Sequence, residues 1–220
     1  MGKDSSLHKK IEGIIFDMDG TIFDTERLSY NIWINLFNEY HLLPNTEFFL
    51  GIRGRNINDS KEIFKKYYPN SRYSYLELKE EKNQRLLDYV ANNGVPIKKG
   101  FFTLIKFLKA KGIKMALATS SSKNYASYLL NKANVYKVFD VLVFGDEVKH
   151  SKPDPEIFNI AASKLNINKE NILVIEDSKH GINAALNGNF KCVWIPDGIY
   201  FDVPSSIYKL DSLDEVKKLI

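Results

Sequence analysis

The apolar positions of this chain follow two different patterns. Short runs of consecutive apolar residues occur at 11–16, 113–119, 141–144, 171–176 and 191–195. Their length and β-branched content predict buried strands. Between the later runs, segments 101–111, 123–133, 155–165 and 181–187 carry apolar residues at helical spacing, as in Leu104, Ile105 and Leu108. Strands alternating with helices predict a parallel sheet with right-handed crossovers, covered on both faces.

Residues 25–95 have another texture. Trp33, Leu36, Phe37 and Tyr40 keep helical spacing, as do Ile63, Phe64 and Tyr67, and then Leu86, Leu87 and Val90. No strand pattern interrupts them, so a small helical bundle is predicted after the first strand. The chain leaves the first strand near 23–26 and returns through the turn-rich 92–96. The predicted architecture is α/β: a Rossmann-like parallel sheet core over 1–24 and 96–220, with an inserted α-helical cap domain at 25–95. Asp24 or Thr25 is expected to cap the first inserted helix, Asp154 to cap the helix opened by Pro155, and Ser212 to cap a short closing helix at 212–219.

Composition narrows the function. A chain of 220 residues buries a core without covalent staples. Its single cysteine, Cys192, excludes an intramolecular disulfide and a cysteine-based metal centre. No apolar run approaches the roughly 20 residues that span a bilayer, and the first ten residues lack a secretory pattern. A cytoplasmic protein without a membrane partner is expected. The net charge of +4 is small. Lysines such as Lys61, Lys65, Lys79, Lys82 and Lys98 are scattered and read as a solvated surface, so no nucleic-acid partner is expected. A mildly positive protein suits a small anionic substrate. Met1-Gly2 with Ser6 fits the loose N-myristoylation pattern, but an unmodified terminus is the preferred reading.

Ligands of parallel sheets bind at the carboxyl ends of the strands. The first strand ends in Asp17-Met18-Asp19-Gly20-Thr21. Its two carboxylates would repel each other unless a cation lies beside them, and oxygen donors suit a divalent metal. An ordinary Asp-Gly turn is the alternative. The second strand ends in Thr119-Ser120-Ser121-Ser122, a phosphate-binding arrangement at a helix start or simple capping. Lys152 precedes Pro153, and a lysine fixed there holds a phosphate or lies in a surface turn. The fourth strand ends in Glu176-Asp177, completing a set of hard ligands for Mg²⁺. His41 and His150 have no evident partner and are expected to be structural or solvated.

Taken in order, Asp17-Met18-Asp19-Gly20-Thr21, Thr119, Ser151-Lys152-Pro153-Asp154-Pro155 and Glu176-Asp177-Ser178-Lys179-His180-Gly181 resemble the motifs of the haloacid dehalogenase superfamily. The resemblance covers nearly the whole chain and points to the branch with a helical cap, which includes β-phosphoglucomutase-like proteins and sugar-phosphate phosphatases. It implies Asp17 as nucleophile and Asp19 as acid and base. It also implies that Thr119 and Lys152 hold the transferring phosphoryl group. Mg²⁺ would be bound by Asp17, Asp177 and the Asp19 carbonyl, with Glu176 a ligand or a support behind one. Gly20, Ser120, Arg53 and Arg55 are the further substrate-binding candidates, the two arginines read equally well as a solvated pair. Ser29 stands where β-phosphoglucomutases that resemble this chain have a histidine, and Leu50 stands before Gly51 where they have a basic residue. The expected function is a Mg²⁺-dependent phosphatase acting on a small phosphorylated metabolite. A mutase, or a binding protein on the same scaffold, is the alternative.

Overall fold

The apolar runs become neighbouring strands of one parallel sheet. The computed structural model describes residues 10–53, 55–198 and 200–220. The acylation pattern at Met1, Gly2 and Ser6 lies outside them. The strands are β1 (Gly13–Phe16), β2 (Lys114–Ala118), β3 (Val141–Val143), β4 (Ile172–Glu176), β5 (Lys191–Trp194) and β6 (Tyr208–Lys209), in the order β3-β2-β1-β4-β5-β6. All neighbours run parallel. Gly13 aligns with Lys114 on one side and Ile172 on the other, so β1 is central and wholly buried. Burial on both faces is why these strands read as continuous apolar runs. β6 was not expected. It is two exposed residues long and has no apolar run to announce it.

Helices cover both faces. On one side, α5 (Phe101–Ala110) and α6 (Lys123–Lys132) bury Leu104, Leu108 and Leu129 against Phe16 and Leu117. On the other, α7 (Glu156–Leu165) and α8 (Lys179–Asn187) bury Phe158, Ala162 and Ile182 against Ile15 and Val174. Four helices lie between β1 and α5: α1 (Thr25–Glu39), α2 (Thr46–Ile52), α3 (Ile57–Tyr67) and α4 (Tyr75–Asn93). The seven-residue α2 is too short to show a period. It is set by Asn45, whose side chain accepts from the Phe48 N–H at 2.9 Å. α4 opens with a reciprocal capping box between Ser74 and Glu77. Trp33, Leu36, Phe37, Phe48, Phe64 and Tyr75 form a separate aromatic-rich cluster among these helices. Leu86 and Val90 of α4, with Leu28 and Ile32 of α1, pack instead into the cluster under the sheet.

The two crossings between sheet and cap helices are stitched together. The Asp24 N–H donates to the Pro96 carbonyl and the Lys98 N–H to the Ile22 carbonyl, both at 2.8 Å. Phe23 and Ile97 form an antiparallel bridge between them.

Three capping expectations are corrected. Asp24 occupies the N-cap position of α1 without capping it, because its carboxylate is drawn to Arg27 at 3.1 Å. α7 begins at Glu156 rather than Pro155, although Asp154 does accept from the Glu156 N–H at 2.9 Å. The tail Leu213–Leu219 is a 3₁₀ helix, and Ser212 meets it through its carbonyl, which accepts from the Glu215 N–H at 3.2 Å, not through its hydroxyl. His41 and His150 are exposed, and His150 pairs with Glu156 at 3.1 Å. Among the described residues no helix is long and apolar enough to cross a membrane.

Phe37 is fully buried, stacked on Phe48 at 5.7 Å and edge-on to Trp33 at 5.5 Å. Phe37→Ala is expected to cost ~3–5 kcal/mol in urea unfolding. Phe102→Ala, at a side chain 58% exposed, should stay within about 0.5 kcal/mol of wild type.

Candidate active site

The carboxyl edge of the sheet gathers the charged residues that the strand ends supply. Asp17 follows β1, and its side chain is nearly buried. Lys152 arrives from the turn before α7 and is 1% exposed. Its ammonium donates to Asp17 Oδ1 and to Glu176 Oε1, both at 2.6 Å. Burial works against the Lys152 charge, but the two carboxylates outweigh it and hold the ammonium above its usual range. Burial raises the Asp17 carboxyl well above the usual range even though Lys152 pulls the other way. The second Glu176 oxygen accepts from the N–H groups of Asp177 and Ser178 and from the Ser178 hydroxyl, each at 3.0 Å. A Cβ at Gly181 would collide with that carboxylate.

Asp17, Glu176 and Asp177 each offer a carboxylate oxygen, and these atoms lie within 4.8 Å of one another. Such hard donors fit a divalent cation of the Mg²⁺ kind. Asp17 Oδ2 makes no hydrogen bond among the described residues, whereas both Glu176 oxygens are engaged. Burial raises the Asp177 carboxyl well above the usual range, opposed by Arg53. Gly20 stands behind Asp177 with φ +82°, and a Cβ there would strike the Asp177 carboxylate.

The Asp19 carboxylate stands outside that cluster. Its oxygens accept from Thr25 Oγ1 at 2.6 Å and from Ser121 Oγ at 2.8 Å. Thr25, expected as a possible cap of α1, is thus turned toward the site. Thr119 is buried, and its Oγ1 accepts from the Ser121 N–H at 3.1 Å. Ser120 lies beside it, close against the backbone at Gly145, where a Cβ would strike the Ser120 carbonyl.

The cap helices close over this edge, leaving a cavity of about 300 Å³. Asp17, Asp19, Thr119, Ser120 and Asp177 line its floor, and Arg53 and Arg55 line its roof. Lys152, Glu176 and Gly20 sit behind the lining. Arg53 is not solvated: its guanidinium is 10% exposed and meets Asp177, Asp197 at 3.2 Å and Glu26 at 3.4 Å. Those carboxylates outweigh burial and hold its charge above the ordinary range. Arg55 is partly exposed and reaches His180 Nε2 at 3.2 Å, while His180 Nδ1 faces the Arg53 carbonyl at 3.0 Å. These partners require Nδ1–H donating to the carbonyl and Nε2 accepting from Arg55. Burial and then the Arg55 charge lower the His180 pKa and favour that neutral ring.

Lys82 overturns the solvated reading of the lysines. It is 4% exposed on α4 and lines the cavity with Lys79 and Asn83. Among the described residues it has no hydrogen bond and no ion pair, only the Tyr125 ring 6.0 Å away. Burial, reinforced by the neighbouring Lys79 charge, pushes its ammonium down to about 7 against the pull of Glu26 and Asp19. Sequence reasoning missed this residue because Lys79-Glu80-Glu81-Lys82 looks like any exposed helical face. It missed Asp197 and Lys98 for want of any motif. His180 had a signal, its place in the run from Glu176, but no assigned task.

The family model described as haloacid dehalogenase-like hydrolase matches residues 14–195. A phosphorylated carbohydrates phosphatase of Thermotoga maritima is 34% identical over 198 residues, 84% of either chain. The crystal structure of CbbY from Rhodobacter sphaeroides in complex with phosphate superposes with a TM-score of 0.78 at 25% identity, covering 94% of this chain and 96% of that one. A β-phosphoglucomutase from Clostridium difficile gives a TM-score of 0.76 at 28% identity, covering 95% and 96%. The match over most of the chain, with a fold and strand-end residues of the expected kind, makes this protein a member of the haloacid dehalogenase-like hydrolase family.

Proposed function

We propose that this chain is a Mg²⁺-dependent phosphatase of a small phosphorylated metabolite, of which a sugar phosphate is the leading candidate. The observation that carries the reading is the pair Asp17 and Asp19. One is locked beneath the cavity against a buried lysine, and the other is held beside it by two hydroxyls, clear of the acidic cluster. A cavity of about 300 Å³ fits a compound of that size. The likeness to a phosphatase of phosphorylated carbohydrates supports the same class.

In the first step the Asp17 carboxylate attacks phosphorus, the ester P–O bond breaks, and Asp19 protonates the departing oxygen. In the second, water attacks the phospho-aspartate, Asp19 takes its proton, and orthophosphate leaves with Asp17 restored. As the family resemblance implies, Lys152 and Thr119 would hold the phosphoryl oxygens, while Glu176 binds Lys152. Asp17, Asp177 and the Asp19 carbonyl would hold the metal, with Glu176 behind them. When bound, Mg²⁺ supplies the positive charge that lets two anions approach. Ser29 lines the cavity at the position where β-phosphoglucomutases that resemble this chain have a histidine, and a serine hydroxyl lacks the basicity to prepare a sugar hydroxyl for attack. This favours transfer to water over isomerisation.

The test is orthophosphate release from a panel of sugar phosphates, nucleotides and simple phosphomonoesters. Release should require Mg²⁺, stop with EDTA, and fall by roughly 10³-fold or more in Asp17→Asn. No release from any compound would reject the reading.

Lys82 gives a pH signature. With its ammonium at about 7, it is charged at pH 6 and mostly neutral at pH 8. KM for an anionic substrate should therefore rise across that interval by up to roughly tenfold, and Lys82→Arg should flatten the rise. A KM that is equally pH-dependent in both proteins excludes Lys82 from binding.

The same lysine makes a stability prediction. Its folded pKa lies below the unfolded value of ~10.4, so its penalty is fully present below pH 7 and fades as pH rises from there. Lys82→Met should raise the thermal midpoint by a few degrees, at roughly 2–4 °C per kcal/mol. The gain should be larger at pH 6 than at pH 9, and a lowered midpoint would contradict it.

A further inference from the structure

Asp197 belongs to none of the motifs and lies two residues beyond the family match, which ends at residue 195. It follows β5 at the carboxyl edge of the sheet, and its side chain is 6% exposed. Its two oxygens serve different parts of the fold. Oδ2 accepts from Arg53, which projects from the cap, at 3.2 Å. Oδ1 accepts from the Lys98 ammonium. Lys98 sits where the returning crossing pairs with the outgoing one: its N–H donates to the Ile22 carbonyl and its ammonium lies 3.8 Å from Asp24. One core carboxylate therefore binds an arginine of the cap and the stitched pair of crossings together.

Arg53 has a second core partner, Asp177, and a cap partner, Glu26. Asp177 is also a candidate metal ligand, and one carboxylate cannot give full strength to both cations. Glu26 moves with the cap and cannot tie it to the sheet. Asp197 is outside the acidic cluster. It is the core carboxylate that remains available to Arg53 whatever Asp177 binds.

We infer that Asp197 is a positioning residue: it holds Arg53 over the cavity and Lys98 at the crossings, so that the closed placement of the cap is maintained while Asp177 serves the metal. The inference rests on the phosphatase reading for its kinetic consequence, but the tether itself does not. A weakened tether lowers the fraction of molecules ready to bind, and apparent affinity falls by that fraction. The chemistry at Asp17 and Asp19 is untouched, so KM should move more than kcat.

Asp197→Asn keeps the shape and removes the charge. With the best phosphomonoester from the panel, KM should rise about tenfold while kcat falls less than threefold. In an Arg53→Gln background, Asp197→Asn should add less than twofold to KM, because the residue it positions is gone. An equal rise in both backgrounds overturns the route through Arg53. Hydrogen exchange, read without substrate or metal, tests the tether by itself. The Asp24 and Lys98 amides should exchange at least tenfold faster in Asp197→Asn, and again in Lys98→Met, with the amides of β1 unchanged. Unchanged exchange at both crossings overturns the tether, whatever the kinetics. Faster exchange in a protein that hydrolyses nothing upholds the tether and rejects the phosphatase reading alone.

Discussion

A single ammonium, shut off from water between two carboxylates, sets the geometry of this site. Lys152 reaches Asp17 and Glu176 at the same 2.6 Å. Three charges taken out of water are stable only together, since removing one leaves its partners buried and uncompensated. The consequence spreads outward from the triad. Glu176, fixed on one side by Lys152, fixes on the other the N–H groups of Asp177 and Ser178. That places the Asp177 carboxylate beside Asp17, with Gly20 and Gly181 leaving the room that a methyl group would fill. The carboxyl edge is thus one connected electrostatic object, assembled from the ends of β1 and β4 and the turn before α7.

The cap treats its cations in two ways. Arg53 is surrounded by carboxylates from both sides of the cavity and is more firmly charged than in water. Lys82 makes no ion pair among the described residues, and burial lowers its ammonium to about 7 against the more distant pull of Glu26 and Asp19. The first arrangement strengthens closure. The second weakens the folded protein by keeping an ammonium without an anion. A group kept at such a cost suits the proposed binding of an anionic substrate, on the side of the cavity opposite the carboxylates of the sheet.

The sequence displayed the sheet well because burial on both faces leaves β1, β2 and β4 apolar apart from Lys114 at the start of β2 and Glu176 at the end of β4. It displayed the acidic edge because Asp17, Asp19, Thr119, Glu176 and Asp177 sit at or just after strand ends, where a parallel sheet exposes its ligand edge, and Lys152 stands in a proline-bounded turn before α7. It hid β6, too short and too exposed to show a pattern, and α2, which depends on one capping asparagine. It also hid the roles of Lys82, Lys98 and Asp197. Their burial comes from elements far along the chain: Asp197 meets Lys98 across 99 positions and Arg53 across 144. Local residue types carry no trace of such meetings. The capping errors are local instead: Asp24 pairs with Arg27 three positions on, and Thr25 turns its hydroxyl to Asp19 six positions back.

The central position of β1 also bears on how the protein emerges from a ribosome. Its neighbours begin at Lys114 and Ile172, and the ammonium that neutralises Asp17 follows it by 135 positions. The cap helices, by contrast, draw their aromatic cluster from Trp33 to Leu78 and can gather it while the rest is still being translated. A growing chain therefore carries the wholly apolar β1 with neither neighbour until about half of it has been made. Asp17 is among the first residues made and among the last to receive its surroundings, so a product truncated before residue 114 would leave an apolar strand without a partner.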